Sequence, residues 1–248
     1  MYHGDEYFRF ERACMAAACG ALQGAVAAEP AWPHWTAIVR GGHGGRPAEV
    51  RMRQITLKGR GRSLHTYVKV LAPIAGVEIE VRPTDERVIG QSLLLDVRTG
   101  DPAFDDYFVI DGAPADAVRA IIDPATRACL VGLTAQCNPG WSTDKVTLSV
   151  APTGVTLSYA GGLVDPRQVS SLLDTVSGLV SRVGPIVAAA FADAASAARC
   201  AAELQDLHAR RRAKSNRGRL VLVLVLALVG VVVIGFGVLL ASVIRFPG

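Results

Sequence analysis

Aromatic residues make up only 6% of this 248-residue chain, and charged residues only 19%. Cysteine occurs five times, at Cys14, Cys19, Cys129, Cys137 and Cys200, and never as a CxxC pair. An odd, scattered set supplies no disulfide framework, and a zinc site needs tighter ligand spacing with an HxxxH partner. These cysteines read instead as small buried hydrophobes in a reduced, cytosolic setting. The histidines (His3, His34, His43, His65, His208) are equally dispersed, so no Ser/His/Asp triad assembles by sequence rules. GxSxG, HExxH and kinase phrases are absent. No catalytic residue, metal or cofactor is implied.

What the chain does have is apolarity. Half of its residues are hydrophobic and the mean hydropathy is +0.31, which excludes a disordered or low-complexity chain. The excess sits between Leu220 and Ile244, 25 uncharged residues of which 19 are Leu, Val, Ile or Phe. As a helix at about 1.5 Å per residue the segment reaches roughly 37 Å, enough to cross a hydrocarbon core of about 30 Å with some tilt. It is expected to be a transmembrane helix.

Six basic residues precede it: Arg210, Arg211, Arg212, Lys214, Arg217 and Arg219. Only Arg245 follows, before Phe246-Pro247-Gly248. Basic flanks stay cytoplasmic, which predicts a cytosolic N-terminal part and an external C-terminus in a bacterial inner membrane. The same stretch attracts anionic lipid at about 1 kcal/mol per charge near the surface. Ala13 to Ala28 loosely resembles a signal peptide, but Asp5, Glu6 and Glu11 stand where positive charge is required. Gly237 and Ala241 form one small-xxx-small pair, weak support for helix pairing.

Setting those seven basic residues aside leaves 19 against 22 acids, about −3 for residues 1–209. A global nucleic-acid-binding character is therefore unsupported. One region runs against this balance. Arg40, Arg46, Arg51, Arg53, Lys58, Arg60 and Arg62 against Glu49 give +6 within 23 residues. Arg51, Arg53, Arg60 and Arg62, with the juxtamembrane cluster, are the candidate contacts for an anionic surface, either lipid headgroups or an acidic protein. No aromatics interleave with them, which argues against nucleic acid. The competing reading is a solvated hairpin face.

Residues 5–28 read as a helix closed by Glu29-Pro30 and the Trp32-Pro33 turn. Strand grammar follows, with a hairpin turn expected in Gly41–Gly45 and His43 exposed at its tip. A phosphate loop would need Gly-Lys-Ser/Thr or GxGxxG opening a helix, and strands flank this run on both sides. Val50 and Met52 differ in parity from Ile55 and Leu57, which predicts a bulge near Gln54. Leu64, Thr66, Val68 and Val70 alternate with His65, Tyr67 and Lys69; Val77, Ile79 and Val81 alternate with Glu78, Glu80 and Arg82. Such strands are half-buried, with one wet face. Leu93 to Val97 is a further candidate, and Val146–Val150 with Val155–Tyr159 forms a hairpin around Pro152-Thr153-Gly154. Asp123-Pro124 and Asp165-Pro166 each place an N-cap before a helical proline. From Pro166 the residues Val169, Leu172, Leu173, Val176, Val180 and Val183 share one face. Gly184-Pro185 is expected to end that helix and begin an Ala-rich one reaching Arg212.

The expected architecture is α+β: a mainly antiparallel sheet covered by helices, then a long Ala-rich helix and one C-terminal transmembrane helix. Its divisions are a cytosolic domain over 1–183, the Ala-rich helix and polybasic segment over 184–219, the span over 220–244 and a short tail over 245–248. Asp101, Asp105, Asp106 and Asp111 lack the spacing and terminal Glu of an EF-hand loop, so turn and cap roles are expected.

The run Gly100-Asp101-Pro102-Ala103-Phe104-Asp105-Asp106-Tyr107-Phe108-Val109, with Ala120 to Pro124 and Arg127 to Leu130, resembles a family of uncharacterised membrane-associated proteins of GC-rich bacteria. In that family a GDP-x-FD-x-x-F-x-V phrase precedes short helices and a β-hairpin. The resemblance covers about residues 95–183 and implies a bacterial single-pass membrane protein without assigning active residues. Arginine outnumbers lysine 22 to 4, as GC-rich coding favours. The leading functional expectation is a membrane-tethered cytosolic binding, scaffold or sensor module. The alternative is a membrane-anchored enzyme of unrecognised type.

Overall fold

Period-two alternation builds most of what is seen in a computed structural model, which describes residues 4–28, 36–57, 61–84, 97–136 and 146–213. The chain divides into units 1–204 and 205–248. The first contains α1 (Gly4–Leu22), β1 (Ala25–Ala28), β2 (Thr36–His43), β3 (Arg46–Leu57), β4 (Gly61–Leu71) and β5 (Glu78–Pro83). It continues with α2 (Pro102–Asp105), β6 (Phe108–Ala113), α3 (Ala115–Ile121), α4 (Pro124–Gln136), β7 (Val146–Ala151), β8 (Gly154–Ala160) and α5 (Pro166–Ala190). A last helix, α6, covers 194–213. The transmembrane expectation at 220–244 and most of the Leu93–Val97 strand lie outside the described residues.

The strands form one eight-stranded sheet in the order β1-β2-β3-β4-β8-β7-β5-β6, every pair antiparallel. The β7–β8 hairpin is inserted between β4 and β5, which are neighbours in sequence but not in the sheet. In β2 to β8 one parity is mainly apolar and buried, as at Val39, Val50, Met52, Val68, Val70, Ile79, Val81, Ile110, Leu148 and Leu157, whereas the edge strand β1 is exposed. Against it lies the stripe Val169, Leu172, Leu173, Val176, Leu179, Val180 and Val183 of α5. Burial of each such side chain stabilises by about 1.5–3 kcal/mol before entropy is counted. α1 contributes Cys14, Ala17, Ala18 and Leu22, small residues that let it lie close over β2. The α+β class with an antiparallel sheet under helices is thus present.

Helix ends follow local chemistry. Asp165 accepts a hydrogen bond from the backbone N–H of Arg167, and Pro166 opens α5. Asp101 caps α2 in the same way, taking the N–H of Phe104. The GDP phrase is a local knot. The Asp105 carboxylate accepts from the Thr99 N–H at 3.0 Å, the Thr99 hydroxyl at 2.9 Å and the Gly100 N–H at 3.0 Å. Phe104 and Phe108 stack beneath it with ring centroids 4.6 Å apart. Its acids serve the turn and the cap.

Four local expectations are corrected. The first helix ends at Leu22, not at Ala28, and 25–28 form an edge strand. Gln23 at φ +47° turns the chain, and Gly24 passes directly over β2, where a Cβ would lie 2.2 Å from the Arg40 carbonyl oxygen. The bulge near Gln54 is absent: β3 pairs in unbroken register from Ala48 to Leu57, and the irregularity falls between Val26 and Ala28. Gly184-Pro185 does not end α5, which continues to Ala190. A helical proline forfeits one hydrogen bond and costs about 3 kcal/mol. Here Val183, Ile186 and Val187 pack against the core on both sides of it and hold the helix on course. The break comes at 191–193, where Asp193 accepts from the Ser196 N–H and hydroxyl and caps α6. Finally, His43 is not exposed. Its side chain is 15% accessible, and its Nε2 lies 2.8 Å from the Asp174 carboxylate on α5.

The glycine run therefore has two jobs. Gly44 and Gly45, at φ +56° and +74°, form the two-residue hairpin turn. Gly41 lies within β2, where a Cβ would stand 2.5 Å from the Leu22 carbonyl oxygen. Gly132, inside α4, has nothing within 4 Å of a built Cβ. Gly41→Ala is expected to destabilise by about 1–3 kcal/mol through overpacking. Gly132→Ala is expected to stabilise by about 0.5–1 kcal/mol through helix propensity. Urea unfolding of the two variants checks both signs.

Candidate functional site

The second parity of the sheet is largely polar, with Ile38, Leu71 and Val109 as apolar exceptions, and it is not exposed throughout: His65 and Ser158 stand on it buried. Its residues form a continuous row of cross-strand neighbours, Arg40–Glu49–Lys69–Thr156–Ser149–Glu80–Asp111, spanning β2 to β6. Six steps of about 4.8 Å make it roughly 29 Å long. Arg51 and Arg53 extend its basic end, Glu78 its acidic end. Between them stand hydroxyls: Thr147 and Ser158, their oxygens 2.6 Å apart, lie two residues along their strands from Ser149 and Thr156. Tyr67 stands half-buried between Arg51 and Ser158.

Cations predominate on β2 to β4 and acids on β5 and β6, where Arg82 shares the face with Glu78 and Glu80. At the basic end Glu49 is nearly buried and accepts from Arg40 Nε and an Arg51 terminal nitrogen, each at 3.0 Å. Burial pushes its carboxyl up, but those hydrogen bonds and the two guanidinium charges outweigh burial and hold it below the ordinary value of 4.5. Arg40 and Arg51 keep 61% and 49% of their side-chain surface, so the pairing leaves both available to a partner. Lys69 donates to the Thr153 hydroxyl at 2.9 Å.

Of the anionic-surface candidates, Arg51 and Arg53 lie exposed on this face. Arg62 falls in β4 with its backbone opposite Thr56, and Arg60 lies outside the described residues. Arg210, Arg211 and Arg212 belong to α6 in the second unit, where Arg210 reaches Asp206 at 3.4 Å. Lys214, Arg217 and Arg219 lie outside the described residues. Within the 23 residues of high positive charge, Arg46 is not on the open face at all. Its parity on β3 turns it to the helix side, where it donates to the Ser181 hydroxyl at 2.9 Å. Arg40 and Lys69, and the acidic end, were not among the candidate contacts. Alternation marks each as facing water, but only the strand order brings them into one row.

A cavity of about 270 Å³ opens between α4 and α5 over β7 and β8. Leu130, Leu148, Leu157 and Leu179 line its apolar part. The polar groups at its rim are engaged with one another. Arg182 pairs with Asp123 and donates to the Thr126 hydroxyl at 3.1 Å, and Asp174 holds His43. Burial raises the Cys129 thiol despite a hydrogen bond with Thr175, and burial pushes Cys14 up to about 12. Both thiols stay protonated at neutral pH, which suits small core residues rather than nucleophiles. Among the described residues, no three potential metal-ligating side chains converge.

No family model matches the sequence, and neither a curated protein nor a solved structure matches it.

The basic end carries a stability signature. A carboxylate held below its ordinary value contributes stability that is whole above that value and lost as pH falls through the folded one. Glu49→Gln should therefore lower the urea midpoint of the 1–213 fragment at pH 7. The gap between parent and variant should close as the pH is stepped down from 4.5. A gap that stays constant into acid would assign Glu49 no ion-pair role.

Proposed function

We propose that this protein is a single-pass membrane protein of the bacterial inner membrane whose cytosolic N-terminal domain is a binding module. Its basic strands β2 to β4 present Arg40, Arg51, Arg53 and Lys69 to an anionic partner, with the polybasic segment and the span at 220–244 as the tether. The observation that carries this reading is the polar face of β2 to β4, where the exposed Arg40, Arg51 and Arg53 and the half-exposed Lys69 gather around one acid, Glu49. The 25 uncharged residues between Arg219 and Arg245 support the tether. The paired polar groups around the α4–α5 cavity give the enzyme alternative no comparable support.

Anchoring and orientation are tested together. Removing 214–248 should release the domain from membranes as a folded, soluble fragment. A cytosol-dependent reporter should be active at the N-terminus and a periplasm-dependent one after Gly248. Sedimentation of the fragment with membranes in high salt, or the reverse reporter pattern, would overturn the topology.

Binding is tested with vesicles. The fragment should cosediment weakly with anionic vesicles and not with neutral ones, and should lose them near ~0.5 M salt as screening shortens. Replacing Arg51, Arg53, Arg60 and Arg62 with glutamine should reduce the bound fraction several-fold. Equal binding to neutral vesicles, or no effect of the replacements, would return the face to a solvated surface.

A further inference from the structure

Glu49 bridges two arginines on the face of β2 to β4, and from this geometry we infer that the Arg40–Arg51 pair is a site for a phosphate monoester, presented as the headgroup of an anionic lipid. This rests on the reading that the basic strands are the binding surface, and it names the ligand. One carboxylate accepts from Arg40 Nε and from an Arg51 terminal nitrogen, each at 3.0 Å, so the two guanidinium groups are held side by side. Glu49 is nearly buried, and the same contacts keep its carboxyl below the ordinary value of 4.5 and ionised at neutral pH. A guanidinium has five N–H donors, and Glu49 takes one from each arginine. The remaining donors sit on side chains that keep 61% and 49% of their surface.

Those donors discriminate between phosphates. A planar guanidinium pairs with two oxygens of a phosphate at once. A diester has two free oxygens, and one bidentate arginine uses up both. A monoester has three, so both arginines find acceptors. Charge favours the same choice. Arg40, Arg51, Arg53 and Lys69 with Glu49 carry a net +3, and a monoester carries about −1.5 to −2 near pH 7 against about −1 for a diester. Arg53 stands two residues beyond Arg51, about 7 Å along β3. Lys69 stands opposite Glu49 on β4, where its ammonium donates to Thr153. The lipid source follows from exposure and tether. Arg40, Arg51 and Arg53 are exposed on adjacent strands of one sheet, a surface that a bilayer plane can meet. Two arginines hold a free phosphate weakly, whereas a tethered domain meets headgroups at a high effective concentration.

The test uses the full chain in nanodiscs of neutral lipid, held on a sensor surface, with empty discs as the blank. Neutral vesicles doped with phosphatidic acid (a monoester) or phosphatidylglycerol (a diester) are passed over it at matched surface potential. At about pH 8 the monoester vesicles should bind at least about fivefold more tightly. The ratio should fall towards one at about pH 5, below the monoester's second ionisation near ~6, while Glu49 stays ionised. Titration of the β4 groups opposite these residues, His65, Tyr67 and Lys69, acts on both vesicles and cancels in the ratio. Arg40→Lys and Arg51→Lys keep the charge but not the planar fork, so each should cut the ratio at least about threefold. Their binding to diester vesicles should persist, which shows that they are folded. Soluble glycerol phosphate should compete poorly. A parental ratio near one, or lysine variants that keep the parental ratio or lose both lipids alike, would overturn the inference. Tight competition by glycerol phosphate would overturn the lipid source. The binding reading is judged separately: equal binding of monoester and diester vesicles leaves it standing, whereas no binding to either removes both.

Discussion

Everything else in the first unit depends on the seating of α5 across the middle of the sheet. Its stripe from Val169 to Val183 meets Val68 and Val70 of β4 and Val155 and Leu157 of β8, all buried. These are central strands, so the contact joins sequence-distant hairpins into one sheet rather than covering an existing one. It also explains how a helix survives Pro185. A lost hydrogen bond is local, whereas apolar packing before and after it is continuous. The β2–β3 hairpin tip is held to the same helix by His43–Asp174 and by Arg46 on Ser181, so the long hairpin is fixed at its far end as well.

One consequence is a division of labour between the two parities. The helix-facing parity must be apolar and well packed, and substitutions there are constrained by volume. The other parity bears no such demand. Basic residues predominate on β2 to β4 and acids on β5 and β6, with two strands of hydroxyls between, although Glu49 stands among the cations and Arg82 beside Glu80. The separation is not inherited from sequence proximity alone. β4 and β5 follow each other along the chain, and the inserted β7–β8 hairpin holds Lys69 and Glu80 apart, with β8 and β7 between them. That insertion places the hydroxyls of β7 and β8 between them.

Legibility in the sequence follows the range of the physics involved. Alternation locates β4, β5, β7 and β8, and N-cap chemistry locates Asp165, because both are set by residues within one or two turns. The α5 stripe is equally readable at a period of 3.6. What escapes is set by contacts at long range. β1 reads as Ala-rich helix until Gly24 is seen to pass over Arg40, and Gly41 reads as turn until Leu22 is seen above it. His43 reads as exposed because nothing in the sequence announces Asp174, 131 residues away. Arg51 and Arg53 are found by charge density alone. Arg40 and Lys69 need the strand order to join them, and Arg46 shows that charge density without parity also selects a residue on the wrong side.

The two longest apolar stretches of the chain show why composition alone does not assign a membrane. α5 is long and apolar enough to span, yet its polar residues fall on one side: Asp174, Ser177, Ser181 and Arg182 face the hairpin and the cavity rim while the valines and leucines face the sheet. It has a wet side and a dry side, as a helix lying on a sheet must. The stretch 220–244 has no such division, since Ser242 is its only polar side chain and glycine and alanine are its only other interruptions. No arrangement of those residues gives one face to water. A segment apolar on every side suits only surroundings that are apolar in every direction, a large core or a bilayer, which is why this sequence, unlike that of α5, supports the proposed tether.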